Sequence, residues 1–275
     1  MKEIKFLFWI GVFSLIFTSC EKNEVESSFI EDVIEQEAEI ELLLSDMDVF
    51  SEEIIEGQLS IFKSATLSAA DEENSCPVIT YYRNSEPRKM IIDFGSECEG
   101  KDGKVRSGKI IITSSAFEDM MATRTKTFED FSVDGRGIDG QITKTVTLVR
   151  ENQSRIAEVN EEVTITIDDK VAVRTGTMTR THELGKIFDW KDDVVNSWGE
   201  VTTEWQDGYT VIKTISEENP LVFKSSCRQV VSGIVIVTRG EESWSIDYGQ
   251  GECDNKAIID HDGVLREIRI GRKKF

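Results

Sequence analysis

The sequence is poor in the residues that most often carry catalysis or metal binding. It has two histidines, His182 and His261, and five cysteines without any Cys-x-x-Cys pair, so the sequence does not favour a zinc site. No glycine-rich phosphate loop follows a strand pattern, and no Gly-x-Ser-x-Gly motif is present. We therefore expect no cofactor, and we favour a non-enzymatic protein over an enzyme.

Basic residues are also in the minority. The chain holds 32 Lys and Arg against 52 Asp and Glu, which gives a net charge of −20. Acidic groups are densest between residues 21 and 60, where Lys22 is the one basic residue. Because an acidic protein repels phosphate backbones, nucleic acid is not an expected partner.

Proline is rare, with three in 275 residues, and the chain after Cys76 is rich in β-branched residues. Val163–Ile167 alternates strictly between apolar and polar residues, and Gln141–Val149 and Val171–Thr181 do so in part. A period of two indicates strands with one buried face, as in antiparallel sheets. The pattern predicts a mainly β fold over residues 76–275.

Turn signals indicate how these strands are connected. Asp134-Gly135, Asp139-Gly140 and Asp207-Gly208 are two-residue turn sequences, which favour hairpins over crossovers. A long antiparallel meander, folded as a curved sheet or a sandwich, is the expected topology. In the strand segment Met90–Asp93 the first three residues are apolar, and Ile234–Val237 is apolar throughout, so we expect both faces of these strands to be covered.

The segment before the β region predicts an acidic amphipathic helix, or a pair of helices, over residues 28–57. Ser28 and Glu31 fit a capping box, and the apolar residues that follow are spaced by three and four. We expect this helix to pack on the sheet. Residues 64–75 are small and polar, which is typical of a linker.

Four cysteines remain after Cys20, and their positions suggest two disulfides. The midpoint between Cys76 and Cys98 falls in the turn-like stretch 84–87, and the midpoint between Cys227 and Cys253 falls at 238–241. Each pair would therefore lie on two antiparallel strands of one hairpin, at a separation that suits a disulfide. The prediction is Cys76–Cys98 and Cys227–Cys253.

The two cysteine hairpins resemble each other in sequence. Ile92-Asp93-Phe94-Gly95 and Ile246-Asp247-Tyr248-Gly249 each precede a cysteine, and an Asp-Gly-x-x-Arg sequence follows at 102–106 and at 262–266. This pattern predicts two related units near residues 76–112 and 227–270.

The first twenty residues have the order of a secretory signal peptide. Lys2 and Lys5 precede an apolar run, Phe6–Phe17, which is shorter than the roughly 20 residues that span a bilayer. Thr18-Ser19-Cys20 closes it, and this ending resembles a bacterial lipoprotein signal. The resemblance implies removal of residues 1–19 and acylation of Cys20, with residues 20–27 as a tether.

The chain as a whole resembles β-rich surface lipoproteins of Bacteroidota that have no assigned activity. That resemblance, together with the acidic tether, implies attachment to the outer membrane through the lipid and display at the cell surface. The corresponding hypothesis is a non-enzymatic binding or structural module with a protein or glycan partner.

Two groups of residues are candidates for a ligand site. Asp260 and Asp262 could offer oxygen ligands to calcium, but the spacing fits a hairpin turn better than a calcium loop. The aromatic stretch Trp190, Trp198, Trp205 and Tyr209 could bind carbohydrate or another small ligand. Trp198 and Trp205 are an odd number of residues apart, so one strand would point them to opposite faces. A further alternative is an apolar ligand carried in a concave sheet.

Overall fold

The structure, a computed structural model, describes residues 33–55, 76–149, 154–183 and 194–269, apart from positions 42, 49, 53, 101, 225 and 228. The chain divides into two compact units, Met1–Leu67 and Ser68–Phe275. The expected signal peptide, tether and linker lie outside the described residues.

The first unit contains a helix, because residues 33–55 are helical at every described position. Val33, Ile40 and Met47 are 1% exposed or less, and their seven-residue spacing places them on one stripe of the helix. Described positions 43–48 are all helical, so Ser45 and Asp46 do not divide it into a pair. No helix among the described residues is long and apolar enough to cross a membrane.

The described part of the second unit is one antiparallel sheet of fourteen strands, which confirms the mainly β prediction and the long meander. The strands are β1 Val78–Tyr82, β2 Arg88–Glu99, β3 Val105–Ser114, β4 Met121–Val133, β5 Arg136–Val149, β6 Ser154–Ile167, β7 Lys170–Glu183, β8 Val194–Trp205, β9 Thr210–Ile215, β10 Leu221–Lys224, β11 Gln229–Arg239, β12 Glu242–Gln250, β13 Lys256–His261 and β14 Val264–Arg269.

Each strand pairs with its neighbour in sequence except around β9 and β10. These two short strands both pair with β8 and with β11, β9 along residues 199–204 and 236–239, and β10 along residues 194–197 and 229–232. They therefore share one position in the sheet as a strand interrupted at residues 216–220. The other strands that follow each other in sequence pair antiparallel with each other.

The sheet has two chemically different faces. One face, which we call the buried face, holds side chains such as Val163, Ile165 and Val211, each 1% exposed. The other, which we call the polar face, alternates with it wherever a strand is regular, as the period of two requires. The buried face also contains charge: Arg174 Nε donates to Glu161 Oε2 at 2.9 Å, and both side chains are under 10% exposed.

Two of the three turn predictions are confirmed. Asp134-Gly135 joins β4 to β5, and Gly208 lies in the turn between β8 and β9. The prediction at Asp139-Gly140 is wrong, because both residues lie inside β5. A Cβ on Gly140 would meet the backbone of Glu162 on β6, so this glycine permits a close approach of two strands.

The prediction that both faces of β11 are buried is wrong. Ile236 is 41% exposed on the polar face, where its neighbours across the sheet are Thr214 and Ser245. Ile91 and Ile111 lie opposite each other and are half-buried. The apolar residue at position 236 therefore reflects the β preference of isoleucine and not burial.

Both predicted disulfides are present. Cys76–Cys98 has a Cα–Cα distance of 5.7 Å, and Cys227–Cys253 one of 5.9 Å. The first joins the open end of the β1–β2 hairpin and the second the open end of the β11–β12 hairpin. Each bridge therefore closes the hairpin at the end opposite its turn.

The two cysteine hairpins share one local structure. The Gly95 N–H donates to Asp93 Oδ1 at 2.9 Å, and the Gly249 N–H donates to Asp247 Oδ1 at 2.8 Å. Both glycines have positive φ, which explains why glycine follows the aromatic residue in each copy.

The Asp-Gly-x-x-Arg sequences are not equivalent. Asp102-Gly103 lies between β2 and β3, whereas Asp262-Gly263 connects β13 to β14, with an additional strand after the cysteine. Arg106 is buried and donates Nη1 and Nη2 to the Asp102 carboxylate at 3.1 and 2.7 Å. Arg266 is exposed. The resemblance therefore holds for the hairpins and not for the turns that follow.

A glycine substitution tests the close packing of β7 on β8. The backbone of Gly176 has a conformation that other residues can adopt, but a Cβ there would lie 2.5 Å from the Glu200 carbonyl oxygen. Because of this overlap, Gly176→Ala should lower the free energy of unfolding by about 1–3 kcal/mol. Gly137→Ala is the matched control, because its nearest neighbour would be 3.6 Å away, and it should be neutral or slightly stabilising. Urea unfolding followed by tryptophan fluorescence measures both, and equal effects would contradict the packing.

The Asp102–Arg106 pair predicts a pH dependence of stability. The hydrogen bonds from Arg106 lower the pKa of Asp102 from 3.8 to about 2. A lowered carboxyl pKa gives stability that is complete above the unfolded value and is lost as the pH falls through the folded value. The contribution should be roughly 1 kcal/mol or less, because the Asp102 side chain is 41% exposed.

We expect the stability difference between the wild type and Asp102→Asn to be constant above about pH 5 and to shrink between about pH 4 and pH 2. Urea unfolding at a series of pH values measures it, with Asp207→Asn in another exposed turn as the control. A difference that grows on acidification would contradict the assignment.

Candidate ligand-binding face

The aromatic candidates do not form one surface. Trp198 and Trp205 both lie on β8, Trp198 opposite Thr179 and Trp205 opposite Ala172. Trp205 is 5% exposed on the buried face, whereas Trp198 is half-buried on the polar face. The two tryptophans therefore point to opposite faces, as their odd spacing predicts. Trp190 lies outside the described residues.

Trp205 belongs to an aromatic stack at the end of β8. Its ring lies 5.7 Å from that of Tyr209, with 25° between the planes, and the Arg239 guanidinium lies 3.6 Å from the Tyr209 ring centroid. The guanidinium therefore lies over the face of the Tyr209 ring, which is the geometry of a cation–π interaction. Trp205 and Tyr209 therefore stabilise the turn between β8 and β9, and Trp198 is the described tryptophan of this stretch that lies on the polar face.

The acidic turn near the C-terminus behaves as a turn. Asp260 Oδ1 accepts from the Gly263 N–H at 2.9 Å, and Asp262 has the positive φ of a tight hairpin. His261 contacts Glu242 at 3.0 Å between its Nε2 and the carboxylate. Within the described ranges, no three His, Cys, Asp or Glu side chains converge as metal ligands would.

His182, the other histidine, lies near the end of β7 and is half-buried, opposite Val195 of β8. The lipidation candidate Cys20 lies outside the described residues. The four remaining cysteines form the two disulfides described above.

A shallow polar depression lies where β2, β3 and β4 leave regular register. It is lined by Asp93, Gly95, Ser96, Ser107, Gly108, Lys109, Glu129 and Asp130. The Gly95 N–H lowers the pKa of Asp93, and Lys109 adds to the effect through a contact of 3.3 Å. The carboxylate of Asp93 thus has its partners within the fold.

A row of side chains crosses the polar face and ends at Trp198. Successive registers place Thr123, Thr145, Glu158, Thr179 and Trp198 directly opposite one another on β4 to β8, and we call these residues the tryptophan row. Thr123 and Thr145 share a hydrogen bond of 3.1 Å between their hydroxyls. The Trp198 indole is therefore followed across the sheet by hydroxyl and carboxylate groups, one from each successive strand.

A second row runs parallel to the first, two residues away along each strand. It consists of Thr125, Thr143, Asn160, Thr177, Glu200 and Thr214, and we call it the asparagine row. The Thr177 hydroxyl donates to Asn160 Oδ1 at 2.7 Å, and the Thr214 hydroxyl donates to Glu200 Oε2 at 3.0 Å. Asn160 Nδ2 also donates to Glu158 Oε1 at 3.3 Å, which links the two rows.

Charges are separated between the two faces of β4 to β9. Polar-face positions carry Asp139, Glu158, Glu162, Glu200 and Glu204, and none of these positions that the structure describes holds Lys or Arg. Buried-face positions carry the basic residues, which include Arg124, Lys126, Lys144, Arg174, Arg180 and Lys213. The polar face is therefore acidic, and it favours neutral or cationic ligands.

Trp198 is a candidate from the sequence, whereas the residues around it are not among the candidates. A signal for them was present, because threonine occupies alternate positions at 123–127, at 143–147 and at 175–181. Alternate residues of a strand share a face, so these runs indicate a threonine-rich surface. Their alignment into rows could not be predicted without the register of each strand pair.

Comparison with known protein families, with curated proteins and with solved structures finds no match to this chain. The site must therefore be interpreted from its own geometry.

Proposed function

We propose that this protein is a lipid-anchored, non-enzymatic binding protein of the bacterial cell surface, and that its polar face binds carbohydrate at Trp198. Carbohydrate binding is supported by the position of Trp198, which is half-buried on the polar face at the end of the tryptophan row. The lipid anchor is supported by the signal-peptide pattern from Met1 to Cys20, in which a basic start and an apolar run precede the cysteine.

The chemistry around Trp198 suits a sugar ring. A pyranose has an apolar face of C–H groups and a rim of hydroxyls, so it needs an aromatic surface with hydrogen-bonding groups beside it. Asn196 and Glu200 lie two residues to either side of Trp198 on the same face, and Thr179 lies opposite it. The amide, carboxylate and hydroxyl of these three residues would bind the rim.

A lipid anchor and a carbohydrate-binding face are compatible in one protein. A lipid on Cys20 would hold the protein at the membrane, and the acidic tether that follows would set the folded units away from it. The carboxylates of the polar face act in this proposal as hydrogen-bond acceptors. No catalytic step is assigned to them.

Substituting Trp198 tests the binding site. We expect Trp198→Ala to lower the association constant for a bound oligosaccharide at least tenfold, about 1.4 kcal/mol, because the stacking surface is removed. A glycan array identifies the oligosaccharide, and isothermal titration calorimetry measures the constant.

Trp205→Phe is the matched control, because Trp205 is a tryptophan of the same strand on the buried face and should not affect binding. Binding that survives Trp198→Ala unchanged would remove this face from the proposal.

Substituting Cys20 tests the anchor. We expect the wild type to incorporate labelled palmitate and to fractionate with membranes, and Cys20→Ser to do neither, because the thiol that accepts the acyl group is absent. Ser28→Ala, a few residues downstream, should behave as the wild type. Globomycin should cause the precursor to accumulate. Labelled, membrane-bound Cys20→Ser protein would show that Cys20 is not the site.

A further inference from the structure

We infer that the ligand of the polar face is a linear, uncharged glycan that lies across the strands along the tryptophan row, with one sugar unit for each strand from β8 towards β4. This inference rests on the proposed function and specifies the ligand of the same site. It follows from the spacing, the twist and the charge of the polar face.

The spacing of the row fits an extended sugar chain. Neighbouring strands lie about 4.8 Å apart, so the four steps from Trp198 to Thr123 span roughly 19 Å. Each step is close to the length of one sugar unit in an extended chain. Thr179, Glu158 and Thr145 would each present one polar group to successive units beyond the one stacked on Trp198.

The hydrogen-bonding state of the row leaves it able to bind sugar hydroxyls. Glu158 uses Oε1 to accept from Asn160, and its second oxygen has further lone pairs. Thr123 and Thr145 share one hydrogen bond between them, so each hydroxyl retains acceptor capacity. The asparagine row beside them holds Glu158 in place.

Because the sheet is twisted, the row should bind soluble glycan chains and not the surface of a crystalline polysaccharide. Adjacent strands rotate by about 20–25°, so a row that crosses four steps turns by roughly 80–100°. A single glycan chain can follow that rotation, whereas the flat face of a crystalline polysaccharide would touch only part of the row. We therefore expect binding to soluble oligosaccharides and not to microcrystalline cellulose.

The charge of the face excludes acidic glycans. Glu158 lies on the row and Glu200 beside it, and no described polar-face position of β4 to β9 supplies a compensating Lys or Arg. Uronic acids and sulfated sugars would bring further negative charge to these carboxylates, which repels them.

The test measures affinity against chain length. Cello-, chito-, laminari-, manno- and xylo-oligosaccharides of one to six units are titrated calorimetrically into the soluble protein, residues 21–275, alongside oligogalacturonates of the same lengths. We expect at least one neutral series to gain affinity with each unit up to four or five and then to level off. Oligogalacturonates should bind at least tenfold more weakly than neutral chains of matched length.

Variants locate the units on the row. Thr145→Val combined with Glu158→Gln should leave the affinity for two units unchanged and abolish the gain beyond two, because these residues face the third and fourth units. The matched control is Thr164→Val with Thr166→Val, on the polar face of β6 but outside both rows, and it should retain the full gain. Thermal unfolding followed by circular dichroism confirms that each variant is folded.

The outcomes separate this inference from the proposed function. Binding that depends on Trp198 but gains nothing beyond two units would overturn the extended row and leave the sugar site in place. Tighter binding of oligogalacturonates would overturn the charge argument. Absence of binding to every series, with Trp198→Ala behaving as the wild type, would overturn both proposals.

Discussion

The structure of the second unit depends on one constraint, which is that nearly every strand pairs with its neighbour in the sequence. Since side chains alternate between faces, the hairpin connections carry the same assignment of faces from one strand to the next. Val163, Val211 and the other buried residues are therefore collected on one side of the sheet. Threonine, asparagine and glutamate are collected on the other. The polar face is a direct result of this alternation.

The separation of charge follows from the same constraint and explains how a chain of net charge −20 arranges its basic residues. In β4 to β9 the arginines and lysines lie at buried-face positions, where Arg174 forms its ion pair with Glu161. Removing one partner of such a pair typically leaves an uncompensated buried charge, which is far more costly than an exposed one. Apart from Glu161, most acidic residues of these strands lie on the polar face, where water solvates them. The face that can meet a ligand is consequently more uniform in charge than the composition suggests.

Much of the fold could be predicted because its signals are local. Strict alternation located β6, the parity of positions 198 and 205 assigned two tryptophans to opposite faces, and hairpin symmetry paired the four cysteines. Each of these arguments needs only residues within one strand or one hairpin. The agreement between them explains why the mainly β class and the meander were predicted together.

The errors and omissions come from features that depend on partner strands. Asp139-Gly140 has the sequence of a turn, but the glycine is required by the backbone of β6 and lies inside β5. Val78 lies opposite Asp93, so a regular ladder would place Cys76 opposite Gly95, and the irregular register of β2 beyond Asp93 brings Cys98 to it instead. The rows on the polar face also need these registers. Composition indicated an aromatic region, but the neighbours of Trp198 come from strands distant in sequence.

The placement of the two disulfides has a consequence for how the sheet comes apart at its margins. At the N-terminal margin the outermost pair of strands is itself cross-linked, so β1 cannot separate from β2 while the bridge is intact. At the other margin the bridge lies one hairpin further in, and β13 and β14 continue beyond it. Peeling from that side can therefore release the last hairpin and then stops at a covalent clamp. Protease nicking under native conditions should accordingly reach the β13–β14 hairpin more readily than the cross-linked β1–β2 hairpin.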